Sequence, residues 1–186
     1  MSTFTTRIST GSLKGKPLTL PHDATVRPTR ERVRMAVFNM LGSRLEWHGR
    51  TVVDVACGSG AWGLEALSRG AAEVWLIDTD TRAVQANLKA LRLAHDARVH
   101  VVQADARTWQ PPAPVDVVLA DPPYGSPLTS ALLAKAALWG AEGSWWALET
   151  GADEPCAWPQ PFTNLAEKMY GVSKINVGQF FIPSKG

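Results

Sequence analysis

The 186-residue chain has two cysteines, four histidines and no long apolar stretch. Cys57 and Cys156 make no C-x-x-C pair and no disulfide framework, which suits a reducing cytoplasm. His22, His48, His95 and His100 are scattered without ligand spacing, so no metal is expected. No apolar run is long enough to span a bilayer, and no signal peptide or lipidation motif is visible, so the expectation is a cytoplasmic protein without a membrane partner. Repeats and low-complexity tracts are also lacking. With 45% hydrophobic residues, the chain reads as one soluble unit with a single well-buried core, expected to be a monomer.

Charge is present but unevenly spread. The net charge is +2, yet residues 1–50 carry nine Arg or Lys (Arg7, Lys14, Lys16, Arg27, Arg30, Arg32, Arg34, Arg44, Arg50) against Asp23, Glu31 and Glu46. The remainder holds ten basic against fourteen acidic residues. A basic segment joined to a mildly acidic body points to a polyanion such as a phosphate backbone. The alternative is a solvated basic face.

Four apolar runs end in an acid. Thr51–Val55 contains Asp54, Val74–Ile77 is followed by Asp78, Val99–Ala104 by Asp105, and Val115–Ala120 by Asp121. Such runs read as buried strands of a parallel sheet, whose carboxyl ends are where open α/β sheets bind ligands. After the first run comes Gly58-Ser59-Gly60-Ala61-Trp62-Gly63, then a short helical stretch stopped by Gly70. The glycines match G-x-G-x-x-G, and Asp78 lies 20 residues beyond Gly58, the spacing of a dinucleotide site. Asp54 argues against a dinucleotide, because its charge would repel a pyrophosphate resting on the loop. S-adenosylmethionine fits better: it carries an ammonium, a sulfonium and a ribose diol but no phosphate. Asp54 would suit its methionine end, Asp78 its ribose hydroxyls and Asp105 its adenine amine. Each acid alone also reads as a turn or capping residue.

The fourth run ends in Asp121-Pro122-Pro123-Tyr124. Two prolines fix their own φ and bias the residues before them towards extended geometry, holding the Asp121 and Pro122 carbonyls in a rigid turn. An acceptor-only cluster beside an aromatic ring suits an amine on a flat ring. The amine would donate to the Asp121 carboxylate and the Pro122 carbonyl while Tyr124 stacks on the ring face. The bland reading is a strand ending in a proline turn with a surface tyrosine.

Asp54 to Gly63 resembles the first motif of class I S-adenosylmethionine-dependent methyltransferases, and Asp121 to Tyr124 the fourth motif of those that methylate exocyclic amines. Arg7-Ile8, Gly11, Lys14-Gly15-Lys16, Arg27-Pro28-Thr29, Arg32-Val33-Arg34 and Phe38-Asn39 resemble the N-terminal signature of the RsmD family. The resemblance spans roughly Arg7 to Phe181; Ala56, Cys57 and Trp62 depart from the usual family residues. It implies transfer of a methyl group from S-adenosylmethionine to the N2 amine of a guanine in 16S ribosomal RNA, naked or in a small-subunit particle. Asp121, Pro122 and Tyr124 would be catalytic. Asp54, Gly58, Ser59, Gly60, Asp78, Thr79, Asp105 and Ala106 would bind the cofactor, and Lys14, Lys16, Arg27, Arg32 and Arg34 the RNA.

Strand and helix alternate along the chain: strands near 51–56, 73–77, 98–102, 115–120 and 143–149, helices near 60–69, 80–92 and 127–138. This predicts an α/β fold with a parallel sheet covered on both faces. The segments 163–170 and 174–182 read as a hairpin that adds antiparallel edge strands. By resemblance, the whole is a Rossmann-like class I methyltransferase fold with a mostly parallel seven-stranded sheet. Residues 1–45 are expected to form a basic RNA-contacting extension of hairpin and helix, and residues 46–186 the catalytic domain, in one compact unit. In the helix, Thr29 reads as the N-cap, and Val33, Ala36, Val37, Met40 and Leu41 as the packed stripe, with Arg30 and Arg34 pointing elsewhere. The eight tryptophans read mainly as packing.

Three rival functions remain open at this stage. A nicotinamide dehydrogenase leaves Asp121 to Tyr124 without a role. A DNA or protein amino methyltransferase shares the proline motif. A non-catalytic ribosome-assembly RNA-binding module would tolerate loss of Gly58, Gly60 or Asp121, and none is lost.

Overall fold

The computed structural model of the protein describes residues 5–20 and 28–181. Its elements in chain order are β1 (Thr5–Arg7), β2 (Pro17–Thr19), α1 (Pro28–Gly42), β3 (Thr51–Val55), α2 (Ala61–Ser68), β4 (Glu73–Asp78), α3 (Arg82–Ala90), β5 (Val99–Gln103), β6 (Val115–Ala120), α4 (Leu128–Ala134), α5 (Ala136–Trp139), β7 (Gly140–Gly151), β8 (Phe162–Tyr170) and β9 (Ser173–Phe180). β1 and β2 form a small antiparallel hairpin. The other seven strands form one sheet in the order β5-β4-β3-β6-β7-β9-β8. β3 to β7 are parallel, and β9 and β8 close one edge antiparallel, as the sequence pattern implies.

From β3 the chain winds outward through β4 and β5, then returns to the other side of β3 with β6 and β7. The strand order therefore reverses between β3 and β6. Crossovers on either side of such a reversal diverge and leave a crevice at the carboxyl ends of the two strands.

Both sheet faces are covered. Val52, Leu76, Val117, Leu119 and Val177 pack on one side with Leu64 and Leu67 of α2 and with Ile8, Leu18, Val33, Val37, Phe38 and Leu41 of the N-terminal segment. Val53, Val55, Ile77, Val118, Trp146 and Leu148 pack on the other with Leu132, Leu133, Ala136 and Trp139. On that second face an aromatic ladder crosses the sheet. Trp75, Trp109, Trp139, Trp146 and Phe162 follow one another with ring centroids 6.0, 5.3, 6.5 and 5.5 Å apart, within the range of favourable aromatic pairing.

The N-terminal hairpin is part of this core. Ser9 donates from its N–H and its hydroxyl to the two carboxylate oxygens of Glu65 on α2, at 2.7 and 2.6 Å. Ser12 N–H reaches the Ser68 carbonyl at 2.9 Å, and Leu13 N–H the Ser68 hydroxyl at 2.9 Å. Gly11 makes that approach possible, since a Cβ there would fall 1.8 Å from the Ser68 carbonyl oxygen.

Three local expectations change. Thr29 falls inside α1, which starts at Pro28, and not at the residue before it; Pro in the first turn lacks only an N–H that has no helical acceptor there. The buried stripe of α1 is Val33, Arg34, Val37, Phe38 and Leu41, so Arg34 points inward. The cause is the hairpin on that flank, whose Arg7 carbonyl and Thr6 hydroxyl accept from Arg34 Nη2 at 2.5 and 3.3 Å. The stretch expected as one helix over 127–138 is broken at Lys135 into α4 and α5. Lys135 Nζ donates to the carbonyls of Ala106 and Trp109 at 3.2 and 3.1 Å, tying the break to the loop after β5.

Candidate active site

The crevice at the β3/β6 reversal is built from strand ends. Asp121 N–H meets the Val55 carbonyl at 3.4 Å, Cys57 N–H the Ile77 carbonyl at 3.1 Å, and Ala104 N–H the Asp78 carbonyl at 2.9 Å. The strand pairing is thus carried one residue or more past each strand, and Asp78, Asp105 and Asp121 gather with the glycine loop along one edge of the sheet.

Within the loop, Gly58 and Gly60 have φ of 52° and 78°, the left-handed region that favours glycine. Gly60 N–H closes a turn onto the Cys57 carbonyl at 2.7 Å, and Gly58 N–H donates to Asp78 Oδ2 at 2.8 Å. Asp54 is buried and accepts the Gly63 N–H, a free amide of the first turn of α2. Burial pushes its pKa up to about 7, opposed by the Gly63 hydrogen bond, raised further by Asp78 and lowered by Arg34. Ala56 takes a left-handed φ of 55° at the end of β3 without being glycine, a strained conformation of the kind that collects at functional sites. Burial drives the Cys57 thiol well above its ordinary range, in keeping with a small filler in the loop. Trp62 is buried with the hydrophobic cluster shared by α2 and the N-terminal hairpin.

The remaining expected residues fall as follows. Asp78 is half-buried, with Oδ1 accepting the Asp80 N–H at 3.1 Å and the Thr79 hydroxyl at 3.4 Å. The Ser59 carbonyl accepts from Asn87, and the Ala106 carbonyl from Lys135. Asp105 is held by its own neighbour, both oxygens receiving the Arg107 guanidinium, and its pKa lies near 2 chiefly through that hydrogen bond. Pro122 is buried and Tyr124 exposed. Tyr124 keeps 44% of its surface in solvent while its hydroxyl donates to Glu149 Oε1 at 2.6 Å and lies 2.5 Å from Ser173 Oγ. Burial and the Glu149 carboxylate push the phenol up to about 12.

Of the basic residues, Lys14, Lys16 and Arg32 are exposed and Arg27 lies outside the described residues. Arg34 is a correction: it is 3% exposed and spends its guanidinium on Arg7 and Thr6, so it offers no charge to a ligand on the surface.

Two features escaped sequence reasoning. Asn87 of α3 is 2% exposed, accepts the Thr19 N–H at 2.8 Å and donates to the carbonyls of Thr19 and Ser59 at 2.9 Å each. One amide thereby joins the hairpin to the glycine loop. Its signal was a polar residue on the stripe of Val84 and Leu88. The second is Glu154, which accepts the N–H groups of Gly125 and Gly151 and so pins the end of the Asp121 to Tyr124 turn to β7.

The donor set suits S-adenosylmethionine. The half-buried Asp78 carboxylate stands at the side of the glycine loop, a setting for a cationic, phosphate-free ligand. The Asp78 carboxylate has lone pairs left beyond the hydrogen bonds it accepts.

The family described as Conserved hypothetical protein 95 matches residues 6–179. The chain belongs to this family, the RsmD family. Ribosomal RNA small subunit methyltransferase D of Escherichia coli is 37% identical over 125 residues, 63% of this chain and 60% of that protein. The Haemophilus influenzae protein of the same name is 29% identical over 185 residues, 93% of each chain. The solved structure of Escherichia coli yhhF superposes with a TM-score of 0.81 at 31% identity, covering 96% of this chain and 99% of that one. This RsmD-family chain is an S-adenosylmethionine-dependent methyltransferase with the class I fold. Among the described residues no His, Cys, Asp and Glu cluster is placed to hold a metal ion, and no helix is long and apolar enough to cross a membrane.

Proposed function

We propose that this enzyme methylates the exocyclic N2 amine of a guanine in small-subunit ribosomal RNA, free or within a small-subunit particle. The observation that carries the reading is the position of Asp121, which, with Pro122 next in the chain, extends β6 past the sheet beside Val55, at the strand reversal that the glycine loop follows. The names of the two relatives agree with an RNA substrate.

The bound cofactor supplies an electrophilic methyl group on a sulfonium. The guanine amine is a poor nucleophile because its lone pair is delocalised into the ring. With its two hydrogens accepted by the Asp121 carboxylate and the Pro122 carbonyl, the nitrogen is pulled towards a pyramidal shape with its lone pair free. The N–C bond then forms as the C–S bond breaks, and the carboxylate of Asp121 takes the proton the amine loses. Most of the acceleration on this reading comes from alignment and fixed acceptors, without a covalent enzyme intermediate. The base must leave its stack or pair to expose N2, and Tyr124 replaces the lost stacking. Lys14 and Lys16 of the hairpin, with Arg32, hold the RNA backbone by charge.

The test supplies methyl-labelled S-adenosylmethionine with ribosomal RNA, small-subunit particles or assembly intermediates, followed by nucleoside analysis. Label in N2-methylguanosine is the expected result, and Asp121→Ala should remove it. Label in protein or DNA, or near-normal turnover by Asp121→Ala, would overturn the proposal.

A further inference from the structure

The aromatic residue of the Asp121 to Tyr124 turn is fixed by residues from distant parts of the chain. Glu149, 1% exposed on β7, accepts the Tyr124 hydroxyl at 2.6 Å, and Ser173 at the start of β9 approaches the same hydroxyl at 2.5 Å. Gly151 pairs with Ser173 across the two strands, so both anchors stand at one corner of the sheet. Glu154 holds the next residue of the turn through the Gly125 N–H and returns to Gly151 on β7. A tyrosine that is tethered at its hydroxyl and in the following backbone is restrained about χ1, yet 44% of its surface stays open to solvent. A buried carboxylate at position 149 is out of place unless its partner matters, since an ionised group out of water is costly without one.

We propose that Glu149 is a positioning residue for the acceptor base: together with Ser173 it sets the plane of the Tyr124 ring before the base arrives. This rests on the reading of Tyr124 as the surface on which the target guanine stacks. A ring already fixed loses no freedom when the base docks, and that advantage belongs to base binding and alignment, with no share in cofactor binding.

The test is a double-mutant cycle on Tyr124→Phe and Glu149→Ala, with Glu149→Gln as the conservative variant that keeps an acceptor oxygen. Each single change should raise KM for the RNA about ten-fold, the scale of one hydrogen bond to a charged group. The affinity for S-adenosylmethionine should not change. The double variant should be no worse than either single one, and Glu149→Gln should recover most of the loss. Multiplying effects in the double variant, or loss confined to cofactor affinity, would overturn the proposal. If Glu149→Ala does not fold, Ser173→Ala replaces it in the cycle with the same expectations.

A second readout needs no RNA. The chain has two tyrosines, Tyr124 and Tyr170, so fluorotyrosine labelling gives two fluorine resonances. The Tyr124 resonance should report a fixed ring in the unaltered protein and collapse to a sharp, averaged line in Glu149→Ala or Ser173→Ala. An averaged Tyr124 line in the unaltered protein overturns the positioning role. A fixed, Glu149-dependent ring in a protein that labels no guanine overturns the substrate reading alone.

Discussion

The Asp54 carboxylate accepts the Gly63 N–H at 2.7 Å from a position almost wholly out of water. Burial, more than any neighbour, lifts its pKa to about 7, so the folded protein keeps a proton that the unfolded chain releases near pH 4. A group raised in this way contributes stability that is complete below about pH 4 and lost as pH rises through about 7. The unfolding free energy of the protein relative to Asp54→Asn, which does not titrate, should therefore fall by up to about 4 kcal/mol between pH 4 and pH 8. Denaturant titrations of both proteins across that range check the sign and the window.

Gly63→Ala should damage the same contact from the other side. The added Cβ would meet Leu76 Cδ2 at 2.3 Å and Asp54 Oδ2 at 3.3 Å, and Leu76 is itself fully buried. Alanine improves helix propensity by about 1 kcal/mol, but overpacking of about 1–3 kcal/mol opposes it, and here the contact is shorter than any real Cβ tolerates. The variant should melt lower and bind S-adenosylmethionine more weakly. Leu76→Val in the same chain should restore part of both.

Replacing Asn87 by leucine removes three hydrogen bonds at once and leaves the Thr19 N–H and the Thr19 and Ser59 carbonyls without that partner. The expected loss is about 3 kcal/mol of stability, since unsatisfied buried groups lose more than the bond itself is worth. Cofactor affinity should fall with it, because Ser59 belongs to the glycine loop. Thermal unfolding with and without S-adenosylmethionine separates the two effects.

Lys14→Ala and Lys16→Ala should each lower the slope of RNA affinity against salt by about one, without moving the melting temperature. Arg34→Met should do the reverse: the salt slope is unchanged, while stability falls by about 3 kcal/mol as the Arg7 carbonyl and the Thr6 hydroxyl lose their buried donor. Filter binding at several salt concentrations, paired with thermal melts, checks both.

Asp78, Asp105 and Asp121 were legible because each closes an apolar run, where a buried parallel strand meets solvent; Asp54, one residue inside β3, was legible from the glycine loop that follows it. The rotation of α1 was not. Its spacing identified Val33, Val37 and Leu41, but which flank of that stripe is covered depends on where the hairpin packs, and the hairpin is held by Glu65 and Ser68 some 55 residues or more away. The break at Lys135 was hidden for a similar reason: lysine favours helices, and the carbonyls it serves belong to another loop. Tyr124 was found by its motif. Its anchors, 25 and 49 residues further on, carry no local mark of that role.

The docking of Gly11 against Ser68 bears on how the basic segment can be studied. Deleting residues up to the first sheet strand would strip Ile8, Leu18 and Phe38 from the core and take from Glu65 its Ser9 partner. The truncated chain would lose RNA affinity and integrity together, and the experiment would not separate them. The segment is therefore not modular, and grafting it onto another scaffold should transfer little of its binding. Its chemistry can be dissected one exposed lysine at a time, on an otherwise intact body.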